Sequence, residues 1–326
     1  MKRLIIVACS VLVCGALCTH PVFAQDRKLP LIGILWVGDV NNSAPYLNPF
    51  VDALRKLGWV DGKTAEFVIR FDGDNRSKLP ALAKELVALR VDVLVATDTA
   101  LPAAKQATSV IPIVCPDLFD PVEEGVSNSL AKPNQNITGV SFQSLDIAAK
   151  RIEFAKEILP TVKKIGLIYD MTEPGAQMEM KGFADGARRS GASLKKYALR
   201  GPEDFDSVIA AIRKDRPDVL MISATPLLVF RFEKLARFAL DARIPAISEF
   251  PEFAAAGGLL TYGVRVADAY ASAAEQVNRI LKGSQPSELP FLQPTKFELV
   301  INLKTAKALG IKIPESIMLR ATEVIR

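Results

Sequence analysis

Six places in this sequence gather carboxylates, hydroxyls and aromatic rings where an apolar run stops. They are Trp36 with Gly38 and Asp39; Thr97, Asp98 and Thr99; Asp117 and Asp120; Tyr169 and Asp170; Ser223, Ala224 and Thr225; and Ser248, Glu249 and Phe250. The set holds five aspartates and one glutamate, and neither Arg nor Lys. Carboxylates accept hydrogen bonds from an ammonium group. Hydroxyls, and the backbone N–H groups that open a helix, take an anion. Trp36, Tyr169 and Phe250 offer apolar faces whose π-systems also attract a cation. Together these groups suit a small charged and polar solute, an amino acid or an organic acid. Taken singly, each Asp, Ser or Thr is an ordinary helix cap, so the argument rests on the pattern.

The residues that are missing narrow the chemistry. Lys2 and Arg3 precede an apolar stretch over residues 4–18, and Val22-Phe23-Ala24 supplies small residues at a cleavage site. Residues 1–24 therefore read as a secretory signal. The stretch is shorter than the ~20 residues a membrane span needs. The signal takes with it His20, the one histidine, and Cys9, Cys14 and Cys18, leaving Cys115 as the single thiol. No internal disulfide is then possible. Hydrolase triads that use His as base, and zinc sites that use imidazole, are excluded. The signal also carries two of the 41 basic residues and none of the 36 acidic ones, so the remaining excess of positive charge is too mild to argue for nucleic acid. No cofactor fingerprint is found. "GWVDGKT" at 58–64 ends like a phosphate loop but has three residues between its glycines where that motif needs four.

The elements that must position the six places come from periodicity. Residues 31–37, 65–71, 91–96 and 111–115 read as strands, and 49–57, 79–89 and 103–107 as helices. Apolar runs alternating with amphipathic stretches indicate a parallel sheet covered on both faces. The pattern then recurs: residues 164–169 echo 31–36, "FADGARRSG" from 183 echoes "FVDALRKLG" from 50, 217–222 echo 91–96, and 244–247 echo 111–114. The offsets are 133, 133, 126 and 133 residues. Two similar α/β lobes, each a doubly wound parallel sheet, are expected, with ligands beyond the carboxyl ends of the strands. "NITGVSF" from 136, with Gly139 as pivot, and "GGLLTYG" from 257 are predicted crossings between lobes. They assign residues 25–139 plus about 264–326 to the first lobe, with 267–281 packing back onto it, and 140–263 to the second.

Several stretches resemble a known family. "LPALAKELVALRVDVLVATDTALPAAKQATSVIPIV" (79–114), "DPV" at Asp120, "NITGVS" at Asn136, "AAAGGLLTYG" (254–263) and "QPTKFELVINLKTAKALGIKIPESIMLRATEVI" (293–325) are similar to substrate-binding proteins of ABC transporters. The group is the TrpX-like one within the type I periplasmic binding proteins. The resemblance implies an exported, periplasmic receptor that closes on a small solute and delivers it to an inner-membrane ABC permease. It implies ligand loops at Gly38-Asp39, Thr97 to Thr99, Asp117 to Asp120, Tyr169-Asp170 and Ala224-Thr225. Two departures bear on the solute: Asp170-Met171 stands where relatives often carry Asn-Pro, and the loop at 223–225 lacks a neighbouring Asp-Pro. A ligand-sensing module for a membrane signalling protein, and an exported α/β enzyme working through Asp or Lys, are the alternatives.

Overall fold

β1 (Leu31–Trp36) is buried along its whole length, as a strand with layers on both faces must be. The computed structural model that shows this describes residues 29–326 apart from 74, 134 and 174, so the predicted signal lies outside the described residues. After β1 come α1 (Val40–Lys56), β2 (Glu66–Phe71), α2 (Leu79–Ala88), β3 (Val93–Ala96), α3 (Leu101–Ala107), β4 (Ile113–Leu118) and β5 (Ile137–Ser141). All five strands pair in parallel, in the order β2-β1-β3-β4-β5.

The second lobe contains α4 (Ser144–Ile158), β6 (Lys164–Asp170), α5 (Ala176–Arg189), β7 (Ser193–Leu199), α6 (Phe205–Asp215), β8 (Val219–Ile222), α7 (Pro226–Val229), α8 (Phe232–Asp241), β9 (Ala246–Ser248), α9 (Pro251–Ala255) and β10 (Leu260–Val264). α10 (Val266–Leu281) returns to pack on α1, β4 and β5. β11 (Phe297–Asn302), α11 (Leu303–Leu309), α12 (Glu315–Met318) and β12 (Glu323–Ile325) complete the chain. The second sheet runs β12-β11-β10-β9-β8-β6-β7.

Within it, β7-β6-β8-β9-β10 repeats the order of the first sheet, as the sequence echoes require. The repeat extends to atomic detail. Asp92 accepts the Leu31 N–H at 2.7 Å, and its counterpart Asp218 accepts the Lys164 N–H at 2.8 Å. Gly33 lies against Val91 and Leu94, and Gly166 against Pro217 and Leu220. Each glycine lets the neighbouring connection cross its strand closely.

The expected division of the chain differs from the structure in one respect. The segment after 264 does not stay with the first lobe. Only α10 does, while β11 pairs antiparallel with β10 and β12 parallel with β11. The physical reason is burial: Leu299 and Ile301 of β11 enter the second lobe's core, and β11 covers what would otherwise be an exposed strand edge. The second sheet is consequently mixed, and the chain crosses between lobes a third time between α10 and β11. That crossing runs beside β5, where Leu292 donates to the Gly139 carbonyl and Ser141 donates to Leu292, both at 2.8 Å. Gly139, the expected pivot, is closely packed. It sits inside β5 at φ +153°, and a Cβ there would lie 1.8 Å from the Cys115 carbonyl oxygen. Its glycine serves close strand packing. Among the described residues, no helix is long and apolar enough to cross a membrane.

Candidate ligand site between the lobes

The carboxyl ends of both sheets face one another across a cavity of about 110 Å³. β1 delivers Trp36, the turn after β3 delivers Thr97, Asp98 and Thr99, and β4 delivers Asp117. From the second lobe, Ala224 follows β8 and Glu249 follows β9, with Phe250 beside it. These predicted residues line one space. The others do not line it. Gly38, at φ +100°, turns the chain after β1 and donates its N–H to Asp72 at 2.8 Å. Asp39 stands at the start of α1, its carbonyl accepting the Ser43 N–H. Asp120 caps the following turn, accepting from the N–H groups of Val122 and Glu123 at 3.0 Å. Thr225 is fully buried just behind Ala224. Asp170 lines a separate recess at the mouth of the cleft, with Arg76 and Thr172.

Tyr169 illustrates the parity of a strand. Side chains alternate between faces, and Tyr169 joins Ile165 and Leu167 in the core that contains Phe154 and Phe183.

Several lining residues lie outside the predicted set. Tyr46 on α1 and Tyr270 on α10 come from helices. Phe119, Phe142 and Phe230 come from loops, and Glu173 follows β6. Tyr270 organises the first-lobe wall: its ring lies 5.3 Å from that of Trp36 and 6.2 Å from that of Tyr46. Its hydroxyl donates to Asp117 at 2.7 Å. The other Asp117 oxygen accepts the Asp98 N–H at 2.8 Å.

Direct bonds join the lobes across the cleft. Arg76 pairs with Glu173 at 3.0 Å and with Asp170 at 3.3 Å. Thr99 donates its hydroxyl to Glu173. Lys181 on α5 pairs with Glu123 at 2.8 Å. The lobes are therefore drawn together in this structure. Within the second lobe, the fully buried Arg151 of α4 pairs with Glu179 at 2.9 Å and with Glu249 at 3.2 Å.

Burial dominates the ionisation of this region. It raises the Asp98 carboxyl well above the usual range, reinforced by Glu124 and Asp117. Burial also raises Glu124. It raises Asp117 against the opposing Tyr270 hydroxyl, and Glu173 against the opposing Arg76. Glu249 is pushed by burial from 4.5 to about 7, with Arg151 opposing. A carboxyl with a raised folded-state value binds more protons folded than unfolded, so stability falls as pH rises through that window. For Glu249 the window runs from 4.5 to about 7, and the loss is on the order of 3 kcal/mol. Surface carboxylates held down by basic partners, such as Glu157 beside Arg320, titrate below this window. The protein without added solute is expected to melt at a lower temperature at pH 8 than at pH 5. An equal or higher melting temperature at pH 8 would contradict this account of the buried carboxyls.

With the geometry in place, comparison with known proteins is decisive for the family. The family model described as ABC transporter substrate binding protein matches residues 45–325. The chain belongs to this family. A curated relative, a tyrosine-binding protein of Clostridioides difficile, is 26% identical over 81% of this chain and 76% of its own length. Among solved structures, a conserved domain protein from Vibrio cholerae is 27% identical, covers 91% of this chain and all of its own, and superposes with a TM-score of 0.85. A streptococcal ABC domain in complex with L-Trp shares the fold at a TM-score of 0.84, with 24% identity over 91% of this chain and all of that one. As a family member, the chain is a substrate-binding protein, and its two α/β lobes, built on the same parallel five-strand order, are those of the type I periplasmic binding fold.

Proposed function

We propose that this protein is the solute receptor of an ABC importer, working outside the cytoplasmic membrane and taking an aromatic amino acid or a close analogue between its lobes. The observation that carries this reading is the composition of the cleft. Seven aromatic rings line it, along with four carboxylates and the hydroxyls of Thr97 and Thr99. The rings bury the apolar body of a solute and the polar groups fix its orientation, as in a typical small-molecule site. The curated relative is a tyrosine-binding protein, and one structural neighbour was solved with L-Trp. Both support the choice of ligand class. The predicted signal and the family support export, with an inner-membrane permease as partner. The cleft is read as a capture site and not a reaction centre, since the relatives matched are binding proteins.

Capture proceeds by closure. A solute touching both Asp98 on the first lobe and Glu249 on the second favours the closed arrangement by its differential contacts. The cross-lobe bonds of Arg76 and Thr99 then add to the closed state. A thermal-shift series on the purified protein with L-tyrosine, L-tryptophan, L-phenylalanine, benzoate and glucose tests the reading. A bound amino acid at 100 times its Kd is expected to stabilise by about 2.7 kcal/mol. Stabilisation by glucose alone, or by none of the aromatic compounds at millimolar concentration, would overturn it.

A further inference from the structure

The charges lining the cleft are unequal. Four lining side chains are carboxylates, and none is Lys or Arg. Bonds already made divide the four. Both oxygens of Asp117 accept hydrogen bonds. Glu173 is taken by Thr99 and Arg76. Asp98 and Glu249 differ from these two. Asp98 is 4% exposed and Glu249 3% exposed, and neither Asp98 Oδ2 nor Glu249 Oε1 has a hydrogen-bond partner among the described residues.

A buried carboxylate oxygen without a donor is costly, and neither side chain is free to leave. Arg151 holds the other oxygen of Glu249 at 3.2 Å. Glu249 also packs on Gly263, where a Cβ would lie 2.3 Å from the glutamate Cγ. Asp98 is anchored through its own N–H to Asp117, and its carboxyl lies against that of Glu124, which leaves Oδ2 as the oxygen open to a ligand. One acceptor therefore stands on each lobe, both within a wall of aromatic rings that favours a cation.

A ligand carboxylate meets a different environment. Uncharged donors such as the Thr97 hydroxyl are what the lining offers it, against four acidic neighbours.

We propose that the cleft reads its ligand through hydrogen-bond donors, an ammonium among them, given to Asp98 on one lobe and Glu249 on the other, and that the ligand's carboxylate is dispensable. The solute class is then arylalkylamines, monocations without a carboxylate, together with their parent amino acids. This deepens the reading of the cleft as an aromatic amino-acid site and rests on it.

Titration calorimetry at pH 8 on the full-length processed protein separates the two. The probes are L-tyrosine, tyramine and 3-(4-hydroxyphenyl)propionate, with L-tryptophan, tryptamine and indole-3-propionate as the indole set. At least one amine is expected to bind as tightly as its parent amino acid or within about threefold of it. The matching propionate is expected to bind about 100-fold more weakly than that amine. Amines that all bind more weakly than this margin, or a propionate that matches its amine, would overturn the proposal while leaving the amino-acid reading in place. Heat from none of the six would remove both. Asp98→Asn and Glu249→Gln, each checked by its melting curve, are expected to weaken the amine at least tenfold and to leave the propionate unchanged or improved. Amine affinity unaltered in both variants would also overturn it.

Discussion

Replacing Arg151 by methionine is expected to cost the second lobe about 3–5 kcal/mol, the penalty for removing one partner from a buried ionic cluster. Arg151 is completely buried, paired with both Glu179 and Glu249, and stacked 5.0 Å from the Phe183 ring. Glu179 also accepts the Ser223 hydroxyl. Without the guanidinium, two carboxylates stay in a dry interior with no cation beside them. Methionine restores much of the volume, so the loss reports charge more than packing. A single nitrogen, Nη2, serves both acids, so Arg151→Lys should recover part of the loss, to the extent that the shorter side chain brings its ammonium to the same point. Adding Glu179→Gln and Glu249→Gln to the methionine variant should return most of the stability. Urea unfolding followed by far-UV circular dichroism measures this; tryptophan emission is unsuitable, because Trp36 and Trp59 both belong to the first lobe. A loss below about 1 kcal/mol would mean that the cluster is not a buried ionic one.

The second large effect concerns closure. Gly175 opens α5 on the second lobe with φ −77° and ψ −12°, a conformation that alanine adopts without strain. A Cβ at Gly175 would nevertheless lie 2.0 Å from Cδ2 of Phe119 on the first lobe. The clash exists only when the lobes meet. Overpacking of this kind costs about 1–3 kcal/mol, which weakens binding by about 5- to 150-fold. Gly175→Ala is therefore expected to raise the Kd for the best amino acid or amine by that factor, with the melting temperature of the unliganded protein unchanged. Gly175→Val should have a larger effect. Small-angle scattering should show a radius of gyration that no longer contracts on adding solute. Binding equal to the unsubstituted protein would show that the two surfaces need not meet.

Much of this architecture can be read before folding, for reasons visible in particular residues. Parallel strands buried on both faces read as unbroken apolar runs, so 91–96 and 164–169 declare themselves, and duplication declares the lobes. Strand ends then point to Trp36, Asp98, Asp117 and Glu249, all of which line the cleft. Tyr46 and Tyr270 carry no such signal. On an amphipathic helix, an aromatic residue facing a cleft has the same spacing as one facing a core. Arg76 joins the lobes from a short 3-10 turn ahead of α2 whose sequence gives no hint of its partners at 170 and 173. Tyr169 misleads in the opposite way, since its position at a strand end is right and its face is wrong. The destination of β11 depends on which free edge a strand joins, and a strand's own residues do not state it.

The return of α10 to the first lobe also governs the order in which the molecule can be built. All five strands of the first sheet are complete by residue 141, yet the helix that seals α1 begins at residue 266. The Trp59 indole reaches its acceptor on Asn278 at a separation of 219 residues. Closing so long a loop is entropically slow. A nascent chain would meanwhile hold Phe50 and Leu54 of α1 without their covering wall, a surface open to aggregation or to a chaperone. The lobe whose synthesis starts first is thus the one that waits, and the protein's vulnerable period lasts until the chain has been made past residue 281.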